Sequence, residues 1–214
     1  MGLLSRITSV LSASIDEPER SQNEAFERFR NGVSKMGGVI EAEFPCDELP
    51  GATGPFGRCP TNPIPVNGIE GEIRYLNTLR SRTGSTFFYH RLRSLESPPS
   101  RHPVDHYELV ASDSSEWLDL FFSYYYPRRS RMVPEGYTRT AWSRLDKAWR
   151  IFTRLPIQGH NQPVDDFPLG LPRVLEGNAG LMGLGPDFAR GIALGVQRVL
   201  NEHPGRWRRP RATT

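Results

Sequence analysis

The feature that most constrains the fold is a stretch rich in proline and glycine at residues 44–72. It holds six prolines, five glycines and both cysteines of the chain. Proline fixes φ and lacks the amide hydrogen that a sheet ladder needs, so this stretch cannot form a helix or an inner strand. Apolar residues are interleaved with the prolines and glycines: Phe44, Leu49, Phe56, Ile64, Val66 and Ile69. We therefore predict a long ordered loop fixed to a core, and such loops are often functional.

The chain has enough large apolar side chains for one sizeable domain. Its 214 residues include 11 Phe, 7 Tyr and 4 Trp, and each buried aromatic ring removes about 150–250 Å² from water. No apolar run approaches the roughly 20 residues that cross a bilayer. Serines also interrupt the N-terminal apolar segment, where a secretory signal needs a continuous one. The sequence therefore predicts a cytoplasmic protein without a membrane partner.

The basic charge of the chain does not by itself identify a partner. The formal net charge is +3 and the pI is about 9.1. Only two of the 27 lysines and arginines are lysines, Lys35 and Lys147. Arginine binds phosphate and carboxylate well, but codon usage in a GC-rich genome produces the same excess. Arginine content alone is therefore no evidence for nucleic-acid binding.

Strand patterns occupy the middle of the chain. Residues 105–111 and 116–126 form the best candidate hairpin, and residues 86–95 precede them with strongly β-forming side chains. A short strand is also predicted at residues 39–44. Residues 72–79 fit a helix or a strand equally well. Together these segments predict an antiparallel sheet of about four to five strands.

Helical patterns flank the strands. Apolar residues recur at helical spacing in residues 3–35, 138–155 and 187–202. The order helix, sheet, helix predicts a single α+β domain in which the two C-terminal helices pack on one face of the sheet. The expected core contains the helix faces and four residues of the most aromatic strand: Trp117, Leu118, Leu120 and Phe122.

The predicted domain organisation follows from these elements. Residues 1–36 are expected to form an N-terminal helical arm outside or alongside the domain. Residues 37–204 form the α+β domain, with long Pro/Gly-rich loops at 45–71 and 156–186. Residues 205–214 are a basic tail, which we expect to be disordered.

No catalytic, metal or cofactor motif is complete. Cys46 and Cys59 with His102 and His106 would make a zinc site, but the cysteine spacing is too long for a zinc finger. Cys59, His90 or His106, and Asp105 can be combined into a nucleophilic triad, although no spacing selects them. We therefore predict no catalytic residue, no metal and no cofactor, and enzymatic activity stays open.

Two other segments carry weak catalytic or phosphate-binding signals. Asp165 and Asp166 are adjacent carboxylates in a loop, where such residues are usually solvated. A glycine-rich segment at residues 180–185 precedes the last helix, as phosphate-binding loops do, but it lacks the preceding strand and the lysine. An unrecognised hydrolase or transferase would need Cys59, His90, His106 and Asp166 to come together.

The best candidate for recognition is the middle of the proline-rich stretch. Prolines alternate with other residues there, which gives a stiff rod close to polyproline II. A stiff rod loses little entropy on binding. The predicted contact residues are Arg58, Asn62, Ile64, Val66 and Asn67.

Arginines extend this surface in the prediction. Arg91 and Arg93 belong to one strand pattern, and Arg128 and Arg129 follow the aromatic strand. The leading interpretation is a non-enzymatic protein-interaction protein, immunity-like or regulatory, that presents the loop and these arginines to an acidic protein partner. The alternative is nucleic-acid binding on a sheet face where Arg91 and Arg93 lie beside aromatic rings. A homo-oligomer is compatible with either function.

Overall fold

The computed structural model describes residues 19–37, 44–113, 115–140, 167 and 186–202. Several predicted segments fall outside these residues. They are residues 3–18 of the N-terminal helical pattern, nearly all of the strand at 39–44, residues 141–155 of the predicted helix, most of the loop at 156–186, and the basic tail.

The described residues form three helices and six strands. In chain order they are α1 (Glu19–Lys35), β1 (Ile64–Pro65), α2 (Gly68–Thr78), β2 (Leu79–Arg80), β3 (Phe87–Leu95), β4 (Val104–Ala111), β5 (Trp117–Ser123), β6 (Thr138–Arg139) and α3 (Pro186–Glu202). Four strands form one sheet in the order β1-β5-β4-β3, and β2 pairs with β6 in a second sheet. The fold is α+β, as predicted. No helix in these described ranges combines the length and the apolar character needed to cross a bilayer.

The four-stranded sheet is mixed, whereas the sequence predicted an antiparallel one. The predicted hairpin is present, because β4 pairs antiparallel with β3 and with β5. At the edge, β1 runs parallel to β5, with Ile64 opposite Phe122. Proline is tolerated on an edge strand, where one side of the strand needs no ladder partner. The short proline-containing strand therefore completes the sheet without entering its interior.

One face of the sheet forms the hydrophobic core beneath α2. Tyr75 of α2 meets Phe122 edge to face, with ring centroids 5.5 Å apart. Leu118, Leu120 and Phe122 belong to the core cluster, as predicted, whereas Trp117 contacts a residue of the opposite face, Glu108. The full cluster of buried residues is Ile64, Val66, Tyr75, Leu76, Leu79, Phe87, Tyr89, Tyr107, Leu109, Ala111, Leu118, Leu120, Phe122 and Tyr137.

Among the described residues, the helix that packs on this core is α2, which was not one of the two predicted to do so. The ambiguous segment at 72–79 is helical up to Thr78, and its helix α2 supplies Tyr75 and Leu76 to the core. Residues 138–139 belong to strand β6 rather than to a helix. The predicted helix at 187–202 is present as α3, but packing of α3 on the core is not supported. Arg198 Nη2 donates a hydrogen bond to the Asp113 carbonyl oxygen at 2.8 Å.

Helix α1 lies against the domain at the start of α2. Phe26 is buried, and the Asn67 side chain donates a hydrogen bond to the Gln22 carbonyl oxygen at 3.1 Å. Gly68 has a φ of +71°, and a Cβ atom there would lie 3.0 Å from Cγ of Phe29. The glycine therefore permits both the turn into α2 and the close approach of α1.

Candidate functional site

The predicted contact residues of the proline-rich stretch lie inside the protein. Ile64 and Val66 are fully buried in the core cluster, and Asn62 and Asn67 are also buried. The Asn62 side chain donates to the Gly54 carbonyl oxygen at 2.9 Å. Arg58 is half-buried and donates to the Tyr137 hydroxyl at 3.2 Å. In this arrangement the four buried residues support the fold and do not face a partner.

The two arginines of β3 point to opposite faces of the sheet. Arg91 lies opposite Tyr107 on β4, whereas Arg93 lies opposite His106, because a β-bulge between them shifts the register. Residues directly opposite one another in an antiparallel pair share a face, and consecutive residues do not. The shared face that the nucleic-acid alternative required is therefore absent here. Arg91 instead binds Asp105, with Nη2 and Oδ1 2.8 Å apart.

The arginines after β5 tie the proline-rich stretch to the rest of the domain. Arg128 Nη1 lies 2.7 Å from Asp47 Oδ1, and Arg131 Nη2 lies 2.9 Å from Asp47 Oδ2. Burial opposes ionisation of Asp47, but the hydrogen bonds from Arg128 and Arg131 outweigh it and hold the pKa of Asp47 well below its usual range. Arg129 is buried. These arginines therefore hold parts of the fold together and do not form an exposed basic patch.

The residues of the hydrolase or transferase alternative are partly brought together. His90 lies opposite Glu108. Glu108 and His106 are two residues apart on β4, so the side chains of His90 and His106 lie on the same face of the sheet. Cys59 lies in the proline-rich stretch, where its Sγ donates to the Thr53 carbonyl oxygen at 3.3 Å. Asp166 lies outside the described residues. Among the described histidines, none forms a hydrogen bond with Cys59, whose Sγ contacts Thr53, Pro55 and Thr61.

An open groove of about 540 Å³ lies between α1, the first turn of α2 and the residues that follow β5. Ligand sites are usually concave and mainly apolar, with volumes of about 300–1,000 Å³. A larger but more open depression of about 660 Å³ is lined by side chains of α1 alone. The groove, which we call the aromatic groove, is lined by Arg28, Phe29, Gly32, Val33, Met36, Ile69, His102, Tyr124 and Tyr125.

The floor of the aromatic groove is a row of four rings in contact. Phe29 meets Tyr124 edge to face at 5.7 Å, Tyr124 stacks on Tyr125 at 4.3 Å, and Tyr125 stacks on His102 at 4.0 Å between centroids. The Tyr125 hydroxyl donates a hydrogen bond to the Tyr124 hydroxyl at 3.0 Å. Burial, followed by this hydrogen bond, raises the pKa of Tyr124, so it stays neutral at physiological pH.

The proline-rich stretch holds this floor in place. The Gly68 amide donates to the Tyr124 carbonyl oxygen at 2.8 Å, and the Tyr126 amide donates to the Val66 carbonyl oxygen at 3.2 Å. Asn67 and Tyr125 form an isolated antiparallel bridge between these bonds. The backbone after β5 is therefore fixed although it has left the sheet. The proline-rich stretch therefore supports the groove by holding the backbone of residues 124–126 in place.

The rim of the aromatic groove combines exposed apolar surface with basic groups. Met36 is 82% exposed at the end of α1, and the Arg28 side chain is 66% exposed. The described lining residues include Arg28 and His102 and no carboxylate. The nearby Glu70 is shared by two arginines, because its Oε1 lies 2.6 Å from Arg74 Nη2 and its Oε2 lies 3.7 Å from Arg28 Nη2. The groove is therefore suited to an apolar group, and an acidic group beside it would share Arg28 with Glu70.

The sequence contained a partial signal for this groove. The helical spacing of residues 3–35 places Phe26, Phe29 and Val33 on one face of a helix, and the strand pattern at residues 116–126 is rich in aromatic residues. Tyr124 and Tyr125 were assigned to the strand, although the strand ends at Ser123. Consecutive aromatic residues beyond a strand break the alternation of a half-buried strand, and that irregularity was the available clue.

The described residues contain no group of three or more histidine, cysteine or acidic side chains arranged to hold a metal ion. Cys46 and Cys59 do not form a disulfide. No protein-family model, no curated protein and no solved structure matches this chain.

Proposed function

We propose that this chain is a protein-interaction protein whose aromatic groove binds an acidic segment of a partner protein through an apolar anchor residue. The observation that carries the proposal is the exposed Met36 side chain beside four contacting rings, with Arg28 and His102 among the lining residues. Exposed apolar patches with a polar rim are typical of interaction sites. Aromatic residues, methionine and arginine are also enriched in interfaces.

The basic residues at the rim of the groove favour an occupant that carries an acidic residue. An apolar side chain that enters the groove covers Met36, Val33 and Tyr125, and an acidic residue next to it reaches Arg28. Fully burying one large apolar side chain is worth about 1.5–3 kcal/mol. A rim charge adds association rate and selectivity more than affinity. We therefore expect the affinity to depend more on the apolar anchor than on the rim charge.

In this proposal the proline-rich stretch is not itself the surface that contacts the partner. Val66, Asn67 and Gly68 of this stretch hold the groove in position, and the groove contacts the partner. A regulatory or immunity-like role fits such a preformed site, because a rigid groove orders few side chains on binding.

The test is selection of peptides from a random displayed library against the purified full-length protein. We expect enriched peptides to carry an aromatic or aliphatic residue flanked by Asp or Glu. In fluorescence polarisation, Met36→Glu should weaken a selected peptide by about 10- to 100-fold, since every 1.4 kcal/mol is a factor of ten. Leu194→Glu is the control, because Leu194 is also an exposed apolar residue but lies in the middle of α3, outside the groove.

Two results would contradict the proposal. One is that no peptide is enriched over an unrelated protein of similar charge. The other is that enriched peptides bind Met36→Glu as tightly as they bind the wild type.

A further inference from the structure

The floor of the aromatic groove carries hydrogen-bond donors that the described part of the chain does not use. Tyr124 and Tyr125 share one hydrogen bond between their hydroxyls. Each hydroxyl has one hydrogen to donate, so one hydrogen of the pair has no acceptor among the described residues. The hydrogen bonds of His102 within these residues, both with Ser100, involve its backbone. Its imidazole is therefore also available to a ligand.

These donors are carried by adjoining rings of one stack. The Tyr125 ring lies between Tyr124, at 4.3 Å and 25°, and His102, at 4.0 Å and 26°. The two hydroxyls and the imidazole therefore belong to three consecutive, nearly parallel rings. The Gly68 amide holds the backbone at Tyr124, so this arrangement exists before a ligand binds. A preformed site loses little entropy on binding.

The apolar wall of the groove begins at the same rings. Phe29 meets Tyr124 edge to face at 5.7 Å, and Val33 and Met36 continue the wall along α1. The rim arginine, Arg28, lies on the same helix. The unused donors of the floor are thus beside the apolar surface, and a ligand that fits both must carry an acceptor close to an apolar group.

Two carboxyl groups of the core act electrostatically on Tyr124, namely Asp105 and Glu72. Neither leaves a full negative charge behind the floor. Asp105 is paired with Arg91, whose Nη2 lies 2.8 Å from Oδ1. Burial raises the pKa of Glu72 well above its usual range, which favours its neutral form. The floor therefore remains suitable for an anion.

The chain terminus of a peptide combines an anion and an apolar group in the closest way. When the charge comes from Asp or Glu, it belongs to a different residue from the apolar anchor, and neighbouring side chains of an extended peptide point in opposite directions. In the last residue of a chain, the carboxylate and the side chain are attached to the same Cα atom. Both groups then enter one groove together.

We infer that the partner's segment ends in the aromatic groove, where its free C-terminal carboxylate binds the floor and the apolar side chain of its last residue is the anchor. The inference rests on the proposed function and specifies its occupant. A tyrosine hydroxyl and the His102 imidazole donate to the carboxylate, and such bonds to a charged acceptor are stronger than bonds between neutral groups. Capture of a C-terminal carboxylate is a recurring mode of peptide recognition.

The test compares two forms of one peptide. A random library that displays free C-termini is selected against the purified full-length protein. An enriched peptide is then synthesised with fluorescein at its N-terminus, once as the free acid and once as the C-terminal carboxamide. In fluorescence polarisation we expect the free acid to bind about tenfold more tightly or better, because the carboxamide lacks the charged acceptor. Equal affinities of the two forms would overturn the inference.

Two variants locate the carboxylate. His102→Phe, and the double variant Tyr124→Phe with Tyr125→Phe, keep the stacked rings and remove the donors. In both we expect the ratio of the two affinities to fall towards one, while the carboxamide binds as it does to the wild type. The control Arg101→Ala removes an exposed charge next to His102 that does not line the groove, and should leave the ratio unchanged. A wild-type ratio in both groove variants would overturn the inference.

The experiment separates this inference from the proposed function. Peptides that bind equally well as acid and carboxamide, but lose affinity for Met36→Glu, would keep the groove as the interaction site and overturn only the role of the C-terminal carboxylate. Failure to enrich any peptide, whether its C-terminus is free or not, would overturn both.

Discussion

Glu72 is a carboxyl group that folding removes completely from water. Its side chain lies under the core side of the sheet, where the Tyr107 hydroxyl donates to Glu72 Oε2 at 3.0 Å. Burial, together with the nearby charge of Asp105, raises the pKa of Glu72 well above its usual range. Glu72 is therefore protonated in the folded protein at pH values where it would be ionised in the unfolded chain.

Glu72→Gln tests this protonation state. The folded-state pKa lies above the unfolded value of 4.5, so the wild type has its full stability from this group below about pH 4.5 and loses it as the pH rises towards the folded-state pKa. Glutamine stays neutral and should remove this loss, which amounts to about 1.4 kcal/mol per pH unit within that window. Urea denaturation at pH 5 and pH 8 measures the difference.

The control for this experiment is Glu70→Gln, an exposed residue of the same helix. We expect it to leave the pH dependence of the unfolding free energy unchanged. A pH dependence in Glu72→Gln as steep as in the wild type would show that Glu72 is ionised in the fold.

At the scale of elements, the groove depends on how closely α1 approaches the start of α2. Gly68 and Phe29 make that approach, and the Gly68 amide also holds Tyr124. Gly68 therefore helps to fix both the position of α1 and the position of the aromatic floor. A shift of α1 would open the wall of the groove formed by Phe29, Val33 and Met36.

Gly68→Ala and Gly84→Ala make a matched pair for this contact. Both glycines have positive φ, +71° and +85°, but a Cβ atom meets Phe29 only at position 68 and nothing within 4 Å at position 84. Both variants carry the cost of a strained backbone, about 1 kcal/mol, and Gly68→Ala should lose about 1–3 kcal/mol more through overpacking. Chemical denaturation measures both. Equal losses would mean that α1 does not pack on Gly68.

The elements show which parts of the fold local sequence encodes. The hairpin of β4 and β5, the helix at residues 187–202 and part of α1 followed from periodicity, because each is formed by residues close in sequence. The parallel pairing of Ile64 with Phe122 did not, since 57 residues lie between these two residues along the chain. The bulge at Leu92 reverses the side of Arg93, and no propensity in that run indicates an extra residue.

For the whole molecule, the sheet separates three regions with different roles. The core lies on one face beneath α2, the histidine and carboxylate pairs lie on the other, and the aromatic groove lies at the end where β5 gives way to Tyr124 and Tyr125. The sequence predicted that the proline-rich stretch is an ordered loop whose middle faces a partner, whereas Ile64 and Val66 of that middle part are buried in the core. The middle of the stretch is buried because moving the side chains of Ile64 and Val66 from water into the core is favourable.

The central claim is that the aromatic groove receives a partner, and hydrogen–deuterium exchange tests it most directly. With an excess of a selected acidic peptide, we expect slowed exchange in the second half of α1, in the first turn of α2 and at residues 124–126. Amides of β3, whose outer face carries His90 and Arg93, should exchange as in the free protein. Protection confined to β3 and β4, or no protection at a saturating peptide concentration, would contradict the assignment of the groove as the binding site.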